Sequence, residues 1–344
     1  MAIALTVVFS LIACSASKKD SEDNEEYITI GKVCAQTGSL NYYSQGSPEI
    51  EEKAIEKINK DGGIFIKEKN KKLKIKIIFE DSHSTSNGAR DAAIKLIEED
   101  KADIIIVSES EKIVTPVSEV CEQKGVPCIS VNARGDLWLE HGPFEYSFNA
   151  AYDITSIMDA SKTILEQSGV TNLAIMAPNN DYGTDTTAKV KDYCLNNKIT
   201  LTDYGRFEEG ITDYETTITL LKNDDIDGLI CFMDNSDFEV FFKQAIDKKI
   251  KLKQCILIND TYLDLETLNL GDTKSIATIY QDIVKQKNAN IDIALDILKR
   301  AQSKDADEIV KVARKTSINT DIGEISFNDK HQAILPGKFN IINR

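Results

Sequence analysis

Positive charge is what this sequence has too little of: 41 Lys and Arg stand against 56 Asp and Glu, a formal net charge of −15 over 344 residues. Proteins that bind nucleic acid gain affinity by neutralising phosphates with Lys and Arg, so this balance argues against that class of partner. Six prolines and 17 glycines are too few for a repetitive or fibrous chain. The three histidines, His83, His141 and His331, are far apart and no C-x-x-C occurs, so no His/Cys metal site is expected. No G-x-G-x-x-G opens the first turn, no Walker P-loop is present and no credible triad stands out, so neither cofactor nor catalysis is expected. What is there is ordinary globular composition, 42% hydrophobic and 28% charged, on a chain long enough for two domains.

The uncharged apolar run Ala2 to Ala13 is too short for a spanning helix, which needs roughly 20 residues, and suits the core of a secretory signal. It ends in Leu11-Ile12-Ala13-Cys14, which resembles the bacterial lipoprotein lipobox. That resemblance implies diacylglycerol on the Cys14 thiol and a membrane anchor, with residues 15–26 as a polar tether. An even count of six further cysteines in an exported protein permits disulfides. Cys34, Cys128, Cys231 and Cys255, however, lie inside apolar strand-like runs, where a free thiol behaves as a small buried hydrophobe. Reduced, buried thiols are expected, and a Cys121–Cys128 bridge stays open.

From Tyr27 onward, strand and helix patterns alternate. "YITIGKVCA", "KLKIKIIFED", "ADIIIVS" and "VPCISV" read as strands, with amphipathic helices between them. The rhythm restarts near Tyr146–Ala150 and continues through strands "NLAIMAP", "TLTDYGRF", "DGLICFM" and "QCILIND". Such β-α series form right-handed crossovers and parallel sheets. The expected architecture is α/β, two doubly wound parallel-sheet lobes. In open parallel sheets ligands collect at the carboxyl ends of strands, so the candidate site lies in the loops that leave those ends. The stretch "TGSLNYYSQG", Thr37 to Gly46, is one of them; it lacks the later glycines and lysine of a phosphate loop.

Taken in order, "IGKVCAQTGSLNYYSQGSPEIEEKAIEKINKDGGI", "LKIKIIFEDSHSTSNGARDAAIKLIEED", "KGVPCIS", "APNNDYGTDTTAKVKDYC", "GITDYETTITLLKNDDIDGLICF" and "GEISFNDKHQAILPGKFNII" resemble the type I periplasmic solute-binding proteins of ABC importers, in particular the branched-chain amino-acid type. The resemblance covers about residues 27–262 and 318–344. It implies a clamp joined by a three-segment hinge, with crossings near Ser147–Asn149, Tyr262–Thr273 and Ser326–Asp329. The corresponding division is residues 1–26 as signal and tether, 27–148 plus 263–326 as lobe 1, and 149–262 plus 327–344 as lobe 2. Between Asp260 and Gly323 the family's usual strand and Y-G-x-x-P helix start are not recognisable, so the C-terminal part of lobe 1 is expected to be reduced.

In this family a ligand carboxylate is held by hydroxyls and backbone N–H groups of the first lobe, and its ammonium by an acid of the second. Carried over residue by residue, Ser108 and Ser110 fall in the carboxylate-binding loop, where helix capping is their plainer role. Asn132 and Arg134 replace a small S-A-T stretch; an arginine there offers a five-donor fork to a carboxylate, or pairs with Asp136 or Glu109. Tyr43 and Tyr182 match aromatic positions of the cleft, the latter in D-x-Y-G. Asp260 matches the ammonium acceptor, although an aspartate there can equally cap a helix. Asp234 stands where the family often has an aromatic residue, which admits a basic or polyfunctional ligand. The implied function is capture of a small amino-acid-like solute by a monomer and its delivery to an ABC permease. A ligand sensor for a receptor, or an exported enzyme using Asp234 and Asp260 as acid and base, are the rival readings.

Overall fold

Two six-stranded sheets organise the chain. The structure, a computed structural model, describes residues 25–259, 263–280, 283–335 and 339–343. The first pass lays down β1 (Ile28–Cys34), α1 (Asn41–Ser44), α2 (Ser47–Lys60), the hairpin β2 (Ile64–Ile66) and β3 (Lys71–Leu73), β4 (Ile75–Asp81), α3 (Ser86–Glu98), β5 (Ile104–Ser108), α4 (Glu111–Lys124), β6 (Cys128–Val131), α5 (Gly135–Leu139) and β7 (Ser147–Ala151). The second contains α6 (Ile154–Ser168), β8 (Leu173–Pro178), α7 (Asp181–Asn196), β9 (Leu201–Phe207), α8 (Glu215–Asn223), β10 (Gly228–Phe232), α9 (Asn235–Asp247), β11 (Gln254–Asn259) and β12 (Ser275–Tyr280). The chain then returns through α10 (Ile283–Ala301), α11 (Ala306–Ala313), the hairpin β13 (Ser317–Thr320) and β14 (Gly323–Ser326), and β15 (Gln332–Ile334), before β16 (Phe339–Asn343).

The sheet orders are β15-β7-β6-β5-β1-β4 and β16-β12-β11-β10-β8-β9. All pairs are parallel except β16 on β12. Helices cover both faces, so β1, β5, β8 and β10 are buried along their whole length and read as near-continuous apolar runs. Helices α4 and α6 each stop at a glycine in the left-handed conformation, Gly125 and Gly169, which frees the chain to turn back toward the next strand.

The lobe boundaries differ from the expected ones at all three crossings. Ser147–Asn149 is not a crossing but part of β7, whose residues pair with β6 on one side and β15 on the other; the chain leaves the first sheet only after Ala151. Residues 263–280 belong to the second lobe rather than the first. Leu263, Leu265 and Leu270 bury in its core, and β12 pairs with β11. With β12 the chain thus stays in the sheet that contains β11. Residues 327–335, conversely, belong to the first lobe. Phe327 and His331 pack on Phe148 with ring centroids 5.1 and 4.1 Å away, and β15 extends the first sheet. The stretch in which a reduced lobe was expected contains α10, a 19-residue helix. Its Ile293 and Ile297 are buried with Ile104, Ile106 and Ile129 of the first sheet. The six cysteines among the described residues are free and buried, and burial pushes the Cys34 thiol up to about 12.

Candidate functional site

The loop after β1 is held as a rigid wall. The Asp81 carboxylate, at the end of neighbouring β4, accepts the Gln36 N–H at 2.9 Å and the Thr37 hydroxyl at 2.7 Å. Ser84 Oγ donates to the Thr37 carbonyl at 2.7 Å and accepts the Leu40 N–H at 2.9 Å. Gly38 passes so close to this serine, at φ +91°, that a Cβ would stand 2.5 Å from Ser84 Oγ, which accounts for the glycine after Thr37. The short helix α1 then buries Tyr43, whose ring stacks on half-exposed Tyr42 at 4.5 Å.

Beneath this loop lies a buried cluster of charges. Lys32, in the middle of β1, is 0% exposed and pairs with Glu51 Oε1 at 3.1 Å. Its ammonium also donates to Ser108 Oγ at 2.7 Å and to Asn290 Oδ1 at 3.3 Å. Glu109, the residue after β5, accepts the Ala35 N–H at 2.5 Å and the Ser44 hydroxyl at 2.8 Å. Lys287 of α10 donates to the Gln45 carbonyl. Burial raises the Glu109 carboxyl above its ordinary value. Burial, reinforced by the Lys32 charge, brings the Lys287 ammonium down to about 8.

At the neighbouring strand end, Asn132 sits at φ +85° and is 5% exposed, with neither amide atom hydrogen-bonded. Arg134 is 3% exposed. Its Nε donates to Asp136 Oδ1 at 3.0 Å, one terminal nitrogen donates to Thr186 of α7, and the other, Nη2, is buried without a partner. The guanidinium carbon lies 5.1 Å from the centroid of the Tyr182 ring, a cation–π arrangement. Lys189, one turn beyond Thr186, reaches Asp136 Oδ2 at 2.9 Å. The loops leaving the carboxyl ends of β6 and β8 therefore meet face to face. The D-x-Y-G segment has a physical basis here. A Cβ on Gly183 would lie 1.9 Å from the Pro178 carbonyl oxygen, so only glycine lets α7 start this close to β8.

The expected site residues separate into groups. Asn132, Arg134 and Tyr182 come together where the lobes meet. Ser108 and Tyr43 belong to the wall and its charged floor. Ser110 stands at the start of α4 but makes no capping bond, and its hydroxyl is buried without a partner. Asp234 is exposed and occupied as the cap of α9, accepting the Asp237 N–H at 2.8 Å and the Ser236 hydroxyl at 2.7 Å. Asp260 and Cys14 lie outside the described residues. Lys32, Glu51, Glu109, Lys287 and Thr186 were not among the expected residues. Two of them left a trace in the sequence: Lys32 interrupts an apolar strand, and Glu51 falls between Ser47 and Ile55 on the buried stripe of α2. A pocket of about 600 Å³ lies elsewhere, around Phe144, Arg314, Phe327 and His331. Among the described residues no group of His, Cys, Asp and Glu could hold a metal ion, and no helix is long and apolar enough to cross a membrane.

Two α/β lobes whose strand-end loops face each other define a two-lobed binding protein. The chain belongs to the periplasmic binding protein family, whose sequence pattern matches residues 27–281. This is a family of binding proteins rather than catalysts. No curated protein matches the sequence. Among solved structures, the leucine-binding protein LivK of Thermotoga maritima is 13% identical, with a TM-score of 0.73 over 92% of this chain and 96% of its own. The branched-chain amino acid transporter substrate-binding protein LivJ of Streptococcus pneumoniae, in complex with isoleucine, is 16% identical, with a TM-score of 0.72 over 93% of this chain and 96% of its own. An ABC-transporter solute-binding protein of Rhodopseudomonas palustris, in complex with 3,4-dihydroxybenzoic acid, is 16% identical, with a TM-score of 0.70 over 92% of this chain and 93% of its own. At these identities the likeness is one of fold.

Proposed function

We propose that this chain is an extracytoplasmic solute-binding protein that captures a small, amino-acid-like solute between its lobes and hands it to an ABC importer. One observation carries the reading: Arg134 Nη2 and both amide atoms of Asn132 are buried without partners where the two lobes meet. Closing a cleft over such groups is strongly unfavourable unless something hydrogen-bonds to them, and a ligand carboxylate fits the arginine's donors. Ser110 supplies a further hydroxyl, Ser108 and Tyr43 the first-lobe wall, and Tyr182 the opposing aromatic face. Asp260 is the acid for the ligand ammonium; Asp234 joins it only if its carboxylate leaves the cap of α9. The similar solved structures named above contain isoleucine in one case and 3,4-dihydroxybenzoic acid in another, and both ligands bear a carboxylate.

Ligand contacts made by both lobes favour the closed state, so capture is a shift of the hinge equilibrium and needs no covalent step. The working protein is a monomer. Lobe 1 is formed by 27–151 plus 283–335, and lobe 2 by 154–280 plus 339–343. Cys14 carries the lipid that holds the clamp at the membrane near its permease, with residues 15–26 as the tether. A calorimetric screen of amino acids and benzoates tests this. A hit whose affinity falls at least about tenfold in Arg134→Ala and in Asp260→Ala supports the site, on the scale of a charge-assisted hydrogen bond. Full affinity in both variants removes it.

A further inference from the structure

The charges under the Thr37–Gly46 loop do more than hold that loop. Lys32, Glu51, Glu109 and Lys287 are each at most 1% exposed, and two lysines balance two carboxylates. Oε1 of Glu109 is occupied by the Ala35 N–H and the Ser44 hydroxyl, but Oε2 is buried with no partner. A buried carboxylate oxygen without a donor is costly, and a donor from outside the fold would relieve that cost. Its place in the fold indicates what that partner is. Ser108 and Val131 are register partners on β5 and β6, so Glu109 and Asn132 leave the sheet side by side. Ser110, next in the chain, also has a partnerless hydroxyl. The first-lobe edge therefore presents two kinds of demand: Arg134 and Asn132 offer donors to an acceptor, and Glu109 Oε2 seeks a donor.

We infer that Glu109 determines specificity in the cleft, receiving a hydrogen-bond donor at the side-chain end of an amino-acid-like ligand whose carboxylate lies on Arg134 and Asn132. This rests on the solute-binding reading above and narrows it: the ligand is polar rather than branched aliphatic. Because Lys32 and Lys287 already balance Glu51 and Glu109, a neutral donor such as a carboxamide fits better than a further full charge, which would be buried uncompensated. The burial that raises the Glu109 carboxyl is also eased by a donor at Oε2.

Titration calorimetry of the full chain with L-glutamine, L-arginine, L-leucine and benzoate tests the inference. L-glutamine is expected to bind at least about tenfold more tightly than L-leucine. Glu109→Gln keeps an oxygen for the Ala35 N–H and Ser44 but puts an amide donor where Oε2 was. Its unliganded melting temperature should fall, because two buried lysines then face a single carboxylate, and the preference for glutamine over leucine should fall below about threefold. L-leucine binding as tightly as L-glutamine overturns the inference, as does an unchanged preference in Glu109→Gln; both leave the carboxylate clamp standing. L-arginine outranking L-glutamine overturns the neutral-donor part. Binding by none of the four probes overturns the solute-binding reading itself. The ranking in the unmutated protein needs no variant, so the test survives a Glu109→Gln protein that does not fold.

Discussion

The strand-end loops of the two lobes start from the same architecture and use their polar residues differently. In the second lobe most of these residues serve neighbouring helices and loops, although Asn259 Oδ1 at the end of β11 is buried without a partner. Asn180 accepts the Gly183 N–H at 2.8 Å, Asp234 caps α9, and Asp237 accepts the Gly210 N–H at 2.9 Å. Beneath them lies an apolar and aromatic core built on Phe238, Phe241 and Phe242. In the first lobe, polar groups run inward instead. Lys32 and Glu51 occupy positions that the strand and helix patterns reserve for apolar residues, and Ser110, Asn132 and Arg134 keep unpartnered atoms at the cleft. Near-identical topology thus carries two different placements of polar groups, and in the proposed site the carboxylate-binding groups are those of the first lobe.

The largest effect that can break this comparison is on the charged floor. Lys32→Met leaves Glu51 buried and unpaired, so unfolding in denaturant should show a loss of about 3–5 kcal/mol, most of it recovered in the double variant Lys32→Met/Glu51→Met. A single variant as stable as the parent would mean that the pair is not buried as described. Next comes Arg134→Ala, expected to weaken ligand binding by about 1.5–3 kcal/mol in calorimetry. Smaller still is the cap of the second lobe. Asp234→Ala should cost about 1 kcal/mol of stability, whereas Asp234→Asn keeps the cap and should leave stability close to the parent's. Loss of ligand affinity in Asp234→Asn would return this carboxylate to the cleft.

A pH titration gives the subtlest contrast. The Lys287 ammonium is lowered in the folded chain to about 8 from an ordinary 10.5. Between those two values the unfolded chain binds more protons at this group, so its contribution to stability rises with pH across that window and is least favourable below it. The difference in stability between the parent and Lys287→Met, followed by denaturant unfolding from pH 7.5 to 10.5 (a range of about three units set by that shift), should change with this sign. A pH-independent difference would mean that Lys287 is not perturbed in the folded state.

The fold was largely legible where local pattern and burial agree. Runs such as Ile104–Ser108 and Gly228–Phe232 are apolar throughout because parallel strands are covered on both faces. Legibility failed at β12, where Ser275 and Thr278 break the apolar run, and at β7, whose five residues Ser147–Ala151 mix polar and apolar side chains with little periodic signal. Both errors moved the crossings. Of the proposed site, Asn132, Arg134 and Tyr182 could be named from the sequence because they lie in the loop after β6 and the helix start after β8. The charged floor was not. Lys287 lies 242 residues from the Gln45 carbonyl it contacts, and Lys32 lies 258 residues from Asn290, separations that no local pattern reports.

The most direct test of the proposed first-lobe carboxylate site is a paired calorimetric titration of Arg134→Ala and Asp234→Asn with whichever carboxylate solute the unmutated protein binds. Affinity should fall at least about tenfold in the first and stay within about twofold of the parent in the second. Retained affinity in Arg134→Ala together with its loss in Asp234→Asn would contradict the account and move the carboxylate site away from Arg134.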